Sequence, residues 1–186
     1  MTKRLAVAAK KRQTAATSHR PYTGFDGNAA GITPGLEMLI RRIERETSRG
    51  LWNNGAFVIR NMRGKSTPSV HATGRAVDMS WRFMRNPNTQ AIVGSKERQP
   101  MLKVIKALVQ NADAIGLELV IDYFPHPWGR AWRCDRSRWR KYDNRTVSGA
   151  PGGDWYHIEI SPAMARNPEA MKTALDKVFA PNPPQP

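Results

Sequence analysis

The strongest constraint on this chain comes from two short segments that lie far apart in it. The first is Ser69-Val70-His71-Ala72-Thr73-Gly74-Arg75-Ala76-Val77-Asp78, and the second is Asp154-Trp155-Tyr156-His157. His71, Asp78 and His157 offer two imidazole nitrogens and a carboxylate oxygen, a donor set that zinc accepts. His71 and Asp78 stand seven residues apart and cannot converge from one continuous strand. The chain must turn between them, and Gly74 makes a tight turn inexpensive. Ala76 leaves room beside the site. A third donor must come from elsewhere, and His157 supplies it.

Zinc with three protein ligands keeps one position for water, whose pKa then falls from near 16 to roughly 7. A carboxylate is still needed to take that water's proton and hand it to a leaving amine. Asp154 stands three residues before His157 and directly after Gly152-Gly153. Positions three apart on a regular strand face opposite ways, so this role requires a bend at Asp154, which the glycines permit. Taken singly, each residue has a plainer reading. His71 can be a hydrogen-bonded or solvated loop histidine, Asp78 can cap a turn, and His157 can be a satisfied core histidine. The joint pattern is what carries weight.

Hydropathy patterning predicts an α+β fold with a small, mostly antiparallel sheet flanked by helices. Thr33 can cap a first helix, Pro34 suits its first position, and Leu36, Leu39, Ile40 and Ile43 form one apolar stripe ending before Gly50. Ala56 to Ile59 reads as a strand continuing toward Arg63, and another short strand is expected near Arg75 to Ser80. A second helix lies within Glu97 to Ala114, with Gly116 as a stop. Leu117 to Tyr123 and Trp155 to Ile160 read as strands. Asn167 and Pro168 open a last helix whose inner face carries Met171, Leu175, Val178 and Phe179.

Phe124 to Gly153 reads as a long polar connection without its own helix, carrying Trp128, Trp132 and Trp139 among many arginines. It forms either a lip of a substrate cleft or a loop pinned to the domain by its tryptophans. Residues 1–22 are basic and poor in packing residues, so a flexible arm is expected there. A single domain follows over residues 23–180, then a Pro-rich tail over 181–186.

Lys and Arg outnumber Asp and Glu by 30 to 15, a net charge of +15. Such a surface favours polyanions without choosing among them. The single cysteine, Cys134, excludes an internal disulfide, and no base is placed to make it a nucleophile. The apolar stretch Leu5 to Ala9 is cut short by Lys10, Lys11 and Arg12, short of a signal-peptide core, and no run approaches a membrane span. Synthesis in the cytoplasm without a signal peptide is therefore expected.

The two segments together resemble the zinc peptidases that include D-Ala-D-Ala carboxypeptidases and phage L-alanyl-D-glutamate endolysins. Those share Ser-x-His-x-x-Gly-x-Ala-x-Asp followed much later by an acid-x-x-His. Ser69, His71, Gly74, Ala76 and Asp78 match the first half, and Asp154 with His157 the second. The resemblance spans roughly Leu36 to Ile160. It implies a hedgehog/DD-peptidase-like zinc peptidase fold, zinc as cofactor on His71, Asp78 and His157, and Asp154 as general base. An aspartate at that position, followed by His157-Ile158-Glu159, is similar to the endopeptidase branch and implies a cut at L-Ala-D-Glu. The family also carries an arginine after an upstream strand that stabilises the oxyanion. Arg63 fits that place better than Arg60, although Met62 and Gly64 replace the usual aromatic and serine, and a solvated surface arginine is the plainer alternative.

The resemblance thus implies a metallopeptidase acting on the peptidoglycan stem peptide, with anionic cell-wall polymers as further partners. Without a signal peptide, it would reach the wall by holin-type release or as a virion-associated lysin. Two alternatives stay open: a D,D-carboxypeptidase of the same family, and a non-catalytic zinc-containing wall-binding or virion module. A nucleic-acid partner is not expected, because no helix concentrates a basic face.

Overall fold

The structure, a computed structural model, describes residues 19–86, 88–145 and 148–180. The Pro-rich tail expected over 181–186 and most of the basic arm expected over 1–22 lie outside these residues. At the end of that arm, however, residues 19–22 are packed: Arg20 donates to Asp113 Oδ1 at 2.7 Å and to the Leu117 carbonyl at 2.5 Å.

In chain order the elements begin with α1 (Pro34–Glu46), β1 (Trp52–Gly55), a single 3-10 turn (Val70–Thr73), β2 (Ala76–Ser80), β3 (Met84–Arg85) and β4 (Ile92–Val93). They continue with α2 (Arg98–Gln110), β5 (Leu117–Asp122), β6 (Arg130–Arg133), β7 (Arg138–Lys141), β8 (Trp155–Ile160), α3 (Pro162–Ala165) and α4 (Pro168–Val178). The main sheet has six strands in the order β1-β2-β8-β5-β6-β7, and every adjacent pair is antiparallel. β3 and β4 form a separate two-stranded hairpin. This is the expected α+β class with its small antiparallel sheet.

Strand alternation divides the sheet into a dry face and a cleft face. Val77 and Met79 of β2, Tyr156, Ile158 and Ile160 of β8, and Val120 of β5 are fully buried against the helices. α1 supplies Leu36, Leu39 and Ile43 to this core, α2 supplies Ile105 and Leu108, and α4 supplies Met171 and Leu175. At roughly 1.5–3 kcal/mol for each large apolar side chain buried, this one layer supplies most of the drive for folding. A register shift between Leu117 and Leu119 lets Leu117 and Val120 both face the core.

Two sequence expectations need correction. The strand expected over Ala56 to Ile59 lies earlier, at Trp52–Gly55. Trp52 is buried, its indole N–H bonds to the Arg82 carbonyl at 3.0 Å, and this anchors the pairing with β2. The register shifts between Asn53 and Gly55, and the run beyond leaves the sheet with Ile59 61% exposed. The long connection, too, contains a β-hairpin, β6–β7, which completes the sheet. Its segments Arg-Ala-Trp-Arg and Arg-Trp-Arg-Lys put one tryptophan each on the core face, Trp132 opposite Trp139. Arg130 lies over the Trp139 ring at 4.4 Å. The strand signal is a single apolar residue per strand among arginines, too little for hydropathy to register.

Candidate metal centre

The turn that carries His71 is built by its neighbours. Ser69 caps the 3-10 helix, its Oγ accepting from the His71 amide at 3.4 Å, and Thr73 Oγ1 donates to the Val70 carbonyl at 2.8 Å. Gly74 ends the turn with φ of 69°, and a Cβ there would meet the Gly31 carbonyl oxygen at 2.1 Å. Glycine is required twice over, by conformation and by space. Thr33 sits at the cap position of α1, but its hydroxyl donates to the Gly74 carbonyl at 2.8 Å instead of capping the helix. The start of α1 is thereby tied to the turn.

Asp78 and His157 are brought together by register. They stand directly opposite each other across β2 and β8, on the cleft face. His157 Nδ1 lies 3.0 Å from Asp78 Oδ1, and His71 Nε2 lies 3.5 Å from the same oxygen. The two imidazole rings meet edge-on with centroids 4.9 Å apart. One donor atom from each of the three residues falls within 4.8 Å of the others. His71 is 4% exposed, and its Nδ1 has no hydrogen-bond partner among the described residues. Two imidazoles and a carboxylate converging on one point fit a divalent metal such as zinc.

The electrostatics of the three side chains are those of a tight ion pair, whose imidazole would give up a proton to a bound metal. Burial pushes the Asp78 carboxyl up, but the hydrogen bonds and charges of His157 and His71 outweigh it and hold Asp78 well below the usual carboxylate range. Burial alone would push the His157 imidazole down, yet Asp78 and Glu159 raise it to about 10. Glu159, two residues on along β8 and so on the same face, receives His157 Nε2 at 2.8 Å. Nδ1 faces Asp78, where a metal would displace its proton, and Nε2 is held by the Glu159 carboxylate, an arrangement that fixes ring orientation at metal sites. The spacing His157-x-Glu159 on a strand was the sequence signal for this partner. Tyr22 had none, because it belongs to the segment read as an arm. Its hydroxyl donates to Glu159 Oε2 at 2.8 Å.

The cluster opens onto a cleft of about 1060 Å³. Arg63 lies on its rim, exposed, and donates to Ser148 Oγ at 2.7 Å; Arg60 lines the same cleft. Tyr123 stacks on Trp155 with ring centroids 5.0 Å apart, and burial, then the Asp78 charge, push its hydroxyl well above the usual range, with Arg63 acting the other way. On the hairpin, Arg133 and Arg140 face the cleft, opposite to the buried Trp132. The connection is thus both pinned by tryptophans and cationic toward the cleft.

Asp154 occupies a bend immediately before β8. Its carbonyl accepts from the Trp81 amide and from Ser80 Oγ, both at 3.0 Å. Its carboxylate is one-third exposed, 3.9 Å from Arg82 Nη1, and does not belong to the three-residue donor cluster. Cys134 is buried with its thiol directed at the Pro21 carbonyl, and burial pushes that thiol up. His126 takes no part in the cluster.

No family model, no curated protein and no solved structure matches the chain. The site is therefore read from its own geometry. Among the described residues, no helix is long and apolar enough to cross a membrane.

Proposed function

We propose that this chain is a zinc-dependent peptidase that hydrolyses the L-Ala-D-Glu bond of the peptidoglycan stem peptide, in the manner of phage endolysins. The observation that carries this reading is the convergence of His71, Asp78 and His157 on one point in the wall of an open, cation-rimmed cleft. When bound there, zinc supplies a Lewis acid and a water acidified to near neutral pH.

The remaining work falls to the chain's own residues. Asp78 and His157 are fixed by sheet register, so their donor atoms are positioned before any ligand arrives. Asp154, at its bend and 3.9 Å from Arg82 Nη1, is the proposed general base. Arg63, on the rim, is the proposed partner of the scissile carbonyl, its guanidinium stabilising charge that develops on the oxygen. Arg133 and Arg140, which ion-pair with Asp135 and Asp143, are the proposed partners of the carboxylates of a stem peptide, exchanging those aspartates for substrate. Delivery to the wall follows holin-type release or carriage on a virion.

One observation favours a second reading. The Asp154 carboxylate stands beside Arg82 and outside the donor cluster, as expected of a zinc-containing wall-binding module without turnover. Digestion of purified peptidoglycan followed by mass spectrometry separates these readings. New N-terminal D-Glu or D-isoGln is expected. Release of free D-Ala would point to a D,D-carboxypeptidase, and no new termini to the binding module.

A further inference from the structure

The segment leading into the domain crosses the sheet beside the metal centre and is held there by several separate contacts. Thr23 Oγ1 donates to Glu118 Oε1 at 2.6 Å. Arg75, 2% exposed, donates to the Gly24 carbonyl at 2.6 Å and to Asp26 Oδ1 at 2.8 Å, and its other terminal nitrogen reaches the Ile160 carbonyl at 2.5 Å. Gly24 turns the chain with φ of 66°, curling it around the Tyr22 ring. Arg133 covers that ring at 4.8 Å. These contacts deliver one polar atom to the site: the Tyr22 hydroxyl, 2.8 Å from Glu159 Oε2.

Glu159 is 3% exposed, so little water reaches it to replace a lost partner. One of its oxygens holds Tyr22 and the other holds His157 Nε2 at 2.8 Å. We infer that Tyr22 is a positioning residue for the metal centre, acting through Glu159 to fix the ring of His157, and that residues 20–26 form a strap that sets metal affinity. The inference rests on the metal-centre reading but not on peptidase activity. Physically, a buried carboxylate held at both oxygens has one orientation, and the imidazole bonded to it inherits that orientation. With the hydroxyl removed, Glu159 is held at one oxygen only and His157 gains freedom about its side-chain torsions, so a metal must order it on binding. Outer partners of this kind typically change metal affinity by about 10- to 100-fold.

The test is zinc affinity by competition with a chromophoric chelator, read together with thermal unfolding of the metal-free chain. Tyr22→Phe keeps the ring and its contact with Arg133 and removes only the hydroxyl. It should weaken zinc binding about tenfold, and Glu159→Gln should weaken it by a similar factor. In the double variant the two losses should not add, because both interrupt the same link. The visible spectrum of the cobalt(II)-loaded protein should shift in Tyr22→Phe as the His157 ring reorients. A wild-type chain that binds zinc while Tyr22→Phe binds it equally well, with an unchanged cobalt spectrum, overturns the inference alone. So does a fall in metal-free stability with no change in affinity. A wild-type chain that binds no zinc overturns the metal centre and the strap's role together.

Discussion

Asp78 and His157 show how much of a site one backbone register can specify. Being opposite each other on adjacent strands places their side chains on one face, within hydrogen-bond reach, with no loop to be ordered. His71 needs more machinery: a cap from Ser69, a left-handed glycine at position 74, and a carbonyl there tied by Thr33. The recurring small and polar positions of the first segment are therefore mostly devices for aiming one imidazole. Asp154 is argued at this same scale. If it is the base, Asp154→Ala should retain zinc and lose roughly 100-fold in peptide hydrolysis rate. An unchanged rate, measured by stem-peptide release, would assign the proton transfer to another group. The candidate donor residues were legible in the sequence because metal chemistry restricts residue type. The Tyr22 contact was not, because nothing local marks a tyrosine whose partner lies more than a hundred positions away.

At the scale of elements, strands and helices with several apolar residues in phase were legible, and those with one were not. β8 matches its expected span of Trp155 to Ile160, with three consecutive alternate positions fully buried. β6 and β7 each have one tryptophan among cations, so their hydropathy looks like that of a loop. The apolar run after Ala56 is the converse case, a strand-like composition that leaves the sheet because Trp52 has already fixed the pairing. The division of labour in the hairpin has a measurable consequence. Trp132→Ala should cost about 3–5 kcal/mol, since the ring is 3% exposed in the core. Arg140→Ala, with its side chain 70% exposed, should change stability by less than about 0.5 kcal/mol. Denaturant titration of both variants checks this, and equal costs would mean that the hairpin is not anchored by its tryptophans.

For the molecule as a whole, a single antiparallel sheet does two jobs with its two faces. One face packs on the helices and is apolar; the other carries the donor cluster and the cations of the cleft. The sequence carried both patterns superimposed at alternate positions, which made fold class and the candidate donor cluster readable and left the cleft's walls obscure. The net charge of +15 favours a polyanionic partner in general terms, and only the fold shows that arginines of the hairpin line the cleft beside the donor cluster. The central claim, that His71, Asp78 and His157 hold a metal, is tested most directly by metal analysis of the purified chain beside His71→Ala. About one zinc per chain is expected, removable by chelation with a fall in unfolding temperature, and largely absent from His71→Ala. A wild-type chain that takes up no zinc, with His71→Ala unfolding identically in its presence and absence, would contradict the account.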